Sequence, residues 1–139
     1  MTMLKPKSHC ILFLFLFNFT FIQAQQLSGP RWILMSIDNL ETGVVKVIGE
    51  HVRAELWFEG DSVYKGQFCN PYQGKIKVNQ DFTCQLSTPI TGKRKCMGFS
   101  DVETDLFKLY NLVNKYKMKG QLLYLFTSDK KRLVFKSEP

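Results

Sequence analysis

Residues 68–74 read Phe68-Cys69-Asn70-Pro71-Tyr72-Gln73-Gly74, and no other stretch limits the possible folds of this chain as much. Pro71 fixes its own φ and pushes Asn70 towards an extended conformation. Gly74 is free of Cβ constraint. Asn, Pro and Gly this close together predict a turn. Ser62 to Phe68 reads as the strand before it, and Lys75-Ile76-Lys77-Val78, which alternates polar and apolar, as the strand after it. Cys69 then stands where one strand ends and a hairpin begins. Cys96 follows the basic loop Gly92-Lys93-Arg94-Lys95 and precedes a predicted helix. A bond between the two cysteines would tie the hairpin to the helix entrance.

Trp32-Ile33-Leu34 resembles the opening W-x-L of the META domain, or HslJ-like, family. The run from Gly66 through Cys69, Asn70 and Gly74 resembles that family's G-x-x-G-C-N-x-x-x-G signature, and Thr91 to Cys96 its T-x-x-x-C element. Asp101 to Tyr116 is similar to its acidic-led helix, Gly120 to Leu125 to its closing G-x-x-L-x-L strand, and Phe135 to its final Phe. The motifs occur in family order from Trp32 to Phe135. Two departures stand out: Phe68 replaces a usual Gly, and the Thr–Cys spacing is one residue longer. The resemblance implies a mainly-β, barrel-like fold and a small envelope or secreted protein linked to stress tolerance, with no enzymatic activity.

The 139 residues suffice for one domain and not for two. Lys5 and Lys7 precede an apolar run from Ile11 to Ile22, and Ala24 follows at a signal-peptidase site, the layout of a secretory signal peptide over residues 1–24. Twelve residues are short of the roughly 20 that span a bilayer; the competing reading is an anchor that stays. Cys10 lies before the apolar run, so it is no lipoprotein cysteine. The chain is therefore expected to be secreted or periplasmic, touching the membrane only through the signal peptide before cleavage. Cleavage after Ala24 removes two of 19 basic residues and none of 12 acidic ones, leaving 17 − 12 = +5. That balance favours anionic surfaces. Export, and the lack of a dense basic stripe, argue against nucleic acid.

Three cysteines remain. Export permits a disulfide, and the odd count leaves one thiol over. In Phe82 to Leu86, strand parity places Phe82, Cys84 and Leu86 on one apolar face, which makes Cys84 a small buried hydrophobe. Cys69 and Cys96, both at element ends, are expected to pair; pairings through Cys84 stay open.

Residues 25–30 read as a flexible lead-in and 31–137 as the domain. Arg31 to Ile37 predicts a first strand with Trp32 and Leu34 on one face, and Val44 to Ile48 a short second one. In His51 to Phe58, Val52, Ala54, Leu56 and Phe58 face in while Arg53, Glu55 and Trp57 face out. Glu59-Gly60-Asp61 makes a hairpin turn. Ser87 to Lys95 reads as loop. The helix is predicted over Asp101 to Tyr116, capped by Ser100 with Glu103 completing a capping box, and with Lys115 and Lys117 at its C-terminal end. Leu122 to Phe126 and Arg132 to Phe135 form a closing hairpin. Short strands, tight turns and one helix predict a strongly curved antiparallel sheet or small barrel with one packed helix.

Candidate chemistry is sparse. His51, the lone histidine after residue 24, reads as an exposed strand-end residue and not as half of a catalytic pair. Asp101, Glu103 and Asp105 read as helix-start charges. No catalytic residue, metal ligand or cofactor is expected. The candidate partner-binding residues are Trp57, opposite the apolar face of its strand, and the loop Lys93, Arg94 and Lys95. Two binding roles are open: a carrier of a small apolar ligand inside the barrel, or an inhibitor or adaptor that binds another envelope protein.

Overall fold

The computed structural model describes residues 27–49 and 51–139. The expected signal peptide, the first residues of the lead-in and Glu50 lie outside the described residues. Within the lead-in, the Leu27 carbonyl accepts a hydrogen bond from Trp32 Nε1 at 3.1 Å, and its side chain packs on the core.

Among the described residues, ten strands and one helix follow in the order β1 (Arg31–Asn39), β2 (Val45–Val47), β3 (Glu55–Glu59), β4 (Val63–Gln67), β5 (Pro71–Val78), β6 (Cys84–Leu86), β7 (Ile90–Thr91), α1 (Ser100–Leu112), β8 (Val113–Lys119), β9 (Leu122–Thr127) and β10 (Lys131–Glu138). The sheet runs β6-β5-β4-β3-β1-β10-β9-β8, with β2 on β1 and β7 on β5. All pairings are antiparallel. A Thr83–Lys115 bridge and a Tyr116 N–H to Phe82 carbonyl bond of 3.0 Å bring the two ends together. The result is the mainly-β fold that the alternation predicts: a nearly closed barrel and one packed helix.

Period-2 alternation fills the barrel. Trp32, Leu34, Leu56, Phe58, Tyr64, Tyr72, Leu123, Leu125, Leu133 and Phe135 are all buried inward, and α1 adds Leu106, Leu109 and Tyr110. The interior is thus occupied by side chains. A surface cleft of about 230 Å³ lies between Leu27, Phe58, Ile76 and Tyr116, smaller than the roughly 300–1,000 Å³ of ordinary ligand pockets.

Two glycines make room for two tyrosines. In the β4–β5 register Tyr64 faces Gly74 and Gly66 faces Tyr72. Each ring lies across the bare backbone opposite. A Cβ on Gly74 would stand 2.5 Å from the Tyr64 ring, and one on Gly66 would fall on the Tyr72 ring and the Glu55 carbonyl oxygen. Gly74 therefore lies inside a strand for close packing, not in the predicted turn. The turn is shorter, at residues 68–70, and β5 begins at Pro71.

Three tyrosines share the core. Tyr72 Oη donates to the Glu55 carbonyl at 2.7 Å and lies 2.9 Å from Tyr110 Oη; Tyr64 Oη donates to the Ser87 carbonyl at 2.6 Å. Tyr72 has one proton, spent on Glu55, so Tyr110 donates to Tyr72. Tyr72→Phe should then strand both the Glu55 carbonyl and the Tyr110 hydroxyl, costing about 2 kcal/mol, whereas Tyr110→Phe should cost about 1 kcal/mol. Urea unfolding of the two variants checks the order; equal losses would contradict the donor assignment.

Burial pushes the Tyr64, Tyr72 and Tyr110 hydroxyls above the ordinary phenol range and the Cys84 thiol up to about 12. These groups are neutral when folded and ionise more readily when unfolded. Their stabilisation is complete below the unfolded thiol and phenol pKa values, near 9 and 10, and is lost as pH rises beyond them towards the folded values. Tm is expected to hold to about pH 9 and to fall steadily above it. A flat Tm to pH 11 would contradict this.

Several sequence expectations are corrected. The helix ends at Leu112 and the chain passes directly into β8, so Lys115 and Lys117 lie on a strand. Phe99, not Ser100, is the N-cap; it makes no side-chain capping bond, and Glu103 is turned into the protein. The strand predicted from His51 starts only at Glu55, although Ala54, Leu56 and Phe58 do face in. Phe82 does not share the apolar face of Cys84 and Leu86 that strand parity predicts: its φ is 63°, it is 59% exposed, and its ring packs on Tyr116. The loop Ser87 to Lys95 contains β7.

Candidate functional site

The segment after β4 is built as a clasp. Cys69 and Cys96 form a disulfide with Cα atoms 5.9 Å apart across 27 residues. Asn70, 2% exposed, sits beneath it. Its Oδ1 accepts from the Arg94 N–H at 3.1 Å, and its Nδ2 donates to the Arg94 carbonyl at 3.0 Å. Glu103, from the first turn of α1, accepts from the Asn70 N–H at 3.1 Å and from Nδ2 at 3.4 Å. One amide side chain thus joins the β4–β5 turn, the basic loop and the helix start, which explains Asn at this position better than turn propensity does. Phe68 packs edge-on to Phe99 at 6.3 Å. Thr91 Oγ1 donates to the Pro71 carbonyl at 3.3 Å. Trp32 and Phe135 are core residues. Cys84 is the free, buried cysteine among the described residues.

Trp57 belongs to an outward row. The registers place it opposite Lys65, Lys65 opposite Gln73, and Gln73 opposite Ile90, which is 75% exposed. Arg31 covers one side of the indole, its guanidinium 4.5 Å from the ring centroid, while pairing with Glu55 at 2.6 Å. The Arg53 hydrogen bond, supported by Arg31, holds the Glu55 carboxylate below its usual range. Trp57, Pro71, Ile90 and Gly92 line a cleft of about 380 Å³. The basic loop leaves from its rim, with Lys93, Arg94 and Lys95 exposed. The two candidate binding features are therefore neighbours along β7.

The remaining candidates scatter. His51 is exposed in a turn before β3, beside Arg53, Cys69 and Phe99. Asp101 is exposed, Asp105 approaches Lys108 at 3.7 Å, and Glu103 is committed to Asn70. Among the described residues no three His, Cys, Asp or Glu side chains gather as a metal site.

Sequence reasoning missed one feature. Lys115, Lys117 and Lys119 alternate along β8 and are all exposed, a basic stripe that a helical assignment hides. The Lys-Tyr-Lys-Met-Lys alternation was the available signal.

The sequence model of the META domain family matches residues 25–139. Among solved structures the chain is similar to a protein from Burkholderia xenovorans determined by NMR, with a TM-score of 0.67 and 17% identity over 81% of this chain and 83% of that one. It is also similar to a DUF4847 family protein from Bacteroides vulgatus, a crystal structure, with a TM-score of 0.61 and 11% identity over 79% of this chain and 93% of the other. At such identities the likeness is one of fold. A comparison with curated proteins finds no match.

Proposed function

The chain belongs to the META domain family, and from that premise we propose that it is an exported, non-enzymatic protein of the envelope or cell exterior, with a stress-tolerance role exercised by binding another protein. The observation that carries this reading is the Cys69–Cys96 bond, which lies at the surface end of the clasp while Cys84 is buried. Such a bond persists in an oxidising compartment and is reduced in the cytosol. The signal-peptide layout of residues 1–24 points the same way. The cleft beside Trp57, with the basic loop at its rim, is the face for an acidic partner. The packed barrel interior supports this role over that of a carrier.

Fractionation of cells that express the tagged full-length chain tests the reading. The protein is expected outside the cytoplasm, shortened at its N-terminus, with Cys69 and Cys96 oxidised and Cys84 alkylated only after unfolding. A full-length cytoplasmic protein with Cys69 and Cys96 as free thiols would overturn it. Trp57→Ala should abolish partner capture while the unfolding midpoint stays unchanged.

A further inference from the structure

We propose that the outward face of β8, β9 and β10 binds an anionic glycan, a polysaccharide bearing carboxylate or phosphate groups. Registers place the residues of this face in three rows. Lys119 faces Leu122, which faces Lys136; Lys117 faces Tyr124, which faces Val134; Lys115 faces Phe126, which faces Arg132. Inward residues alternate with these: Leu123, Leu125, Leu133 and Phe135 are buried, so the parity of the face is settled by burial. The result is a partly exposed strip of Leu122, Tyr124 and Phe126 with cations on both sides.

The charges are available. Among the described residues, no salt bridge engages Lys115, Lys117, Lys119 or Lys136. Arg132 is different: it pairs with Asp38 at 2.6 Å, and its guanidinium lies 5.3 Å from the Tyr124 centroid. It holds the tyrosine in place and leaves binding of anions to the lysines. Alternate residues of a strand stand about 6.7 Å apart. Lysines at that spacing meet successive charged groups of an extended polymer, not one small anion. The rings of Tyr124 and Phe126, 6.4 Å between centroids and inclined by 31°, run alongside. Their electron-rich faces suit the weakly positive C–H faces of sugar rings.

The charge grid calls for a polyanion. The choice of a glycan over nucleic acid rests on the proposed export. The binding test is made on purified protein, so its failure leaves localisation untouched, and a cytoplasmic location leaves measured binding untouched.

The probe is polygalacturonate, with neutral dextran as control, measured on the disulfide-bonded protein covering residues 25–139. Binding is expected to polygalacturonate and not to dextran, and to weaken as salt rises. The triple variant K115E/K117E/K119E should lose affinity roughly tenfold or more. K46E/K75E/K108E changes the net charge by the same amount at exposed lysines of β2, β5 and α1, off this face, and should bind within about twofold of the parent. Tyr124→Ala should weaken binding severalfold at unchanged salt dependence. Single Lys117→Glu replaces the triple variant if circular dichroism shows that the triple has unfolded. Equal losses in the two triples would reduce the effect to net charge and overturn the site. So would preference for an oligothymidylate or for phosphatidylglycerol vesicles over polygalacturonate, or no binding at all.

Discussion

Gly66→Ala is expected to lower the unfolding free energy by about 3 kcal/mol, although the substitution adds one methyl group. The new Cβ would overlap the Tyr72 ring and the Glu55 carbonyl oxygen. The ring cannot turn away freely, because its hydroxyl is held by Glu55 and Tyr110. The carbonyl belongs to β3, which is paired to β4 at that point. Relief therefore requires two strands to part. Alanine also restricts the unfolded chain, a gain of roughly 0.4–1 kcal/mol that offsets only part of the loss. Gly74→Ala is the internal control: its Cβ would press on the outer ring atoms of Tyr64, a side chain and not backbone, and should cost about half as much. Chemical denaturation of both variants gives the comparison. Equal costs would mean that the Glu55 backbone does not decide the matter.

The largest expected loss comes from the disulfide. Cys69→Ser or Cys96→Ser should lower stability by about 3.5 kcal/mol, the chain-entropy value for a 27-residue closure. A small domain has only about 5–15 kcal/mol in total. The folded geometry should change little, because Asn70 still joins Glu103 to the Arg94 backbone by hydrogen bonds. The effect is thus placed on the unfolded ensemble. A reductant should reproduce it on the parent protein and have no effect on either serine variant. A loss below about 1 kcal/mol would show that the unfolded chain already holds these residues together.

How much of this was legible in the residues depended on which force decided each element. Where one face of a strand is buried, alternation carried the information: Trp32 and Leu34, Leu56 and Phe58, and the closing hairpin all lie as the period-2 pattern predicts. Where a local pattern had two readings, it misled. Val113 continues the helical spacing of Leu109 and Tyr110, and lysines suit a helix end, so β8 read as the last turn of α1. Only pairing with β9, remote from any local preference, makes it a strand. Ser100 and Glu103 match a capping box, but the carboxylate gains more from Asn70, 33 residues earlier in the chain. Gly74 looked like a turn because its real constraint, the Tyr64 ring, lies on another strand. The candidate site was legible as single residues, Trp57 and Lys93 to Lys95; their meeting along β7 depended on a two-residue strand too short to leave a pattern.

The first strand and the last are neighbours, from Arg31 against Glu138 to Asn39 against Lys131. Until Lys131 to Glu138 has been delivered, β1 lacks its long partner and the barrel stays open along that seam. Closure of that seam thus waits for β10, and the entropic cost of that distant contact must be met late. A chain of this topology, delivered N-terminus first, forms a string of hairpins and locks only once β10 has followed.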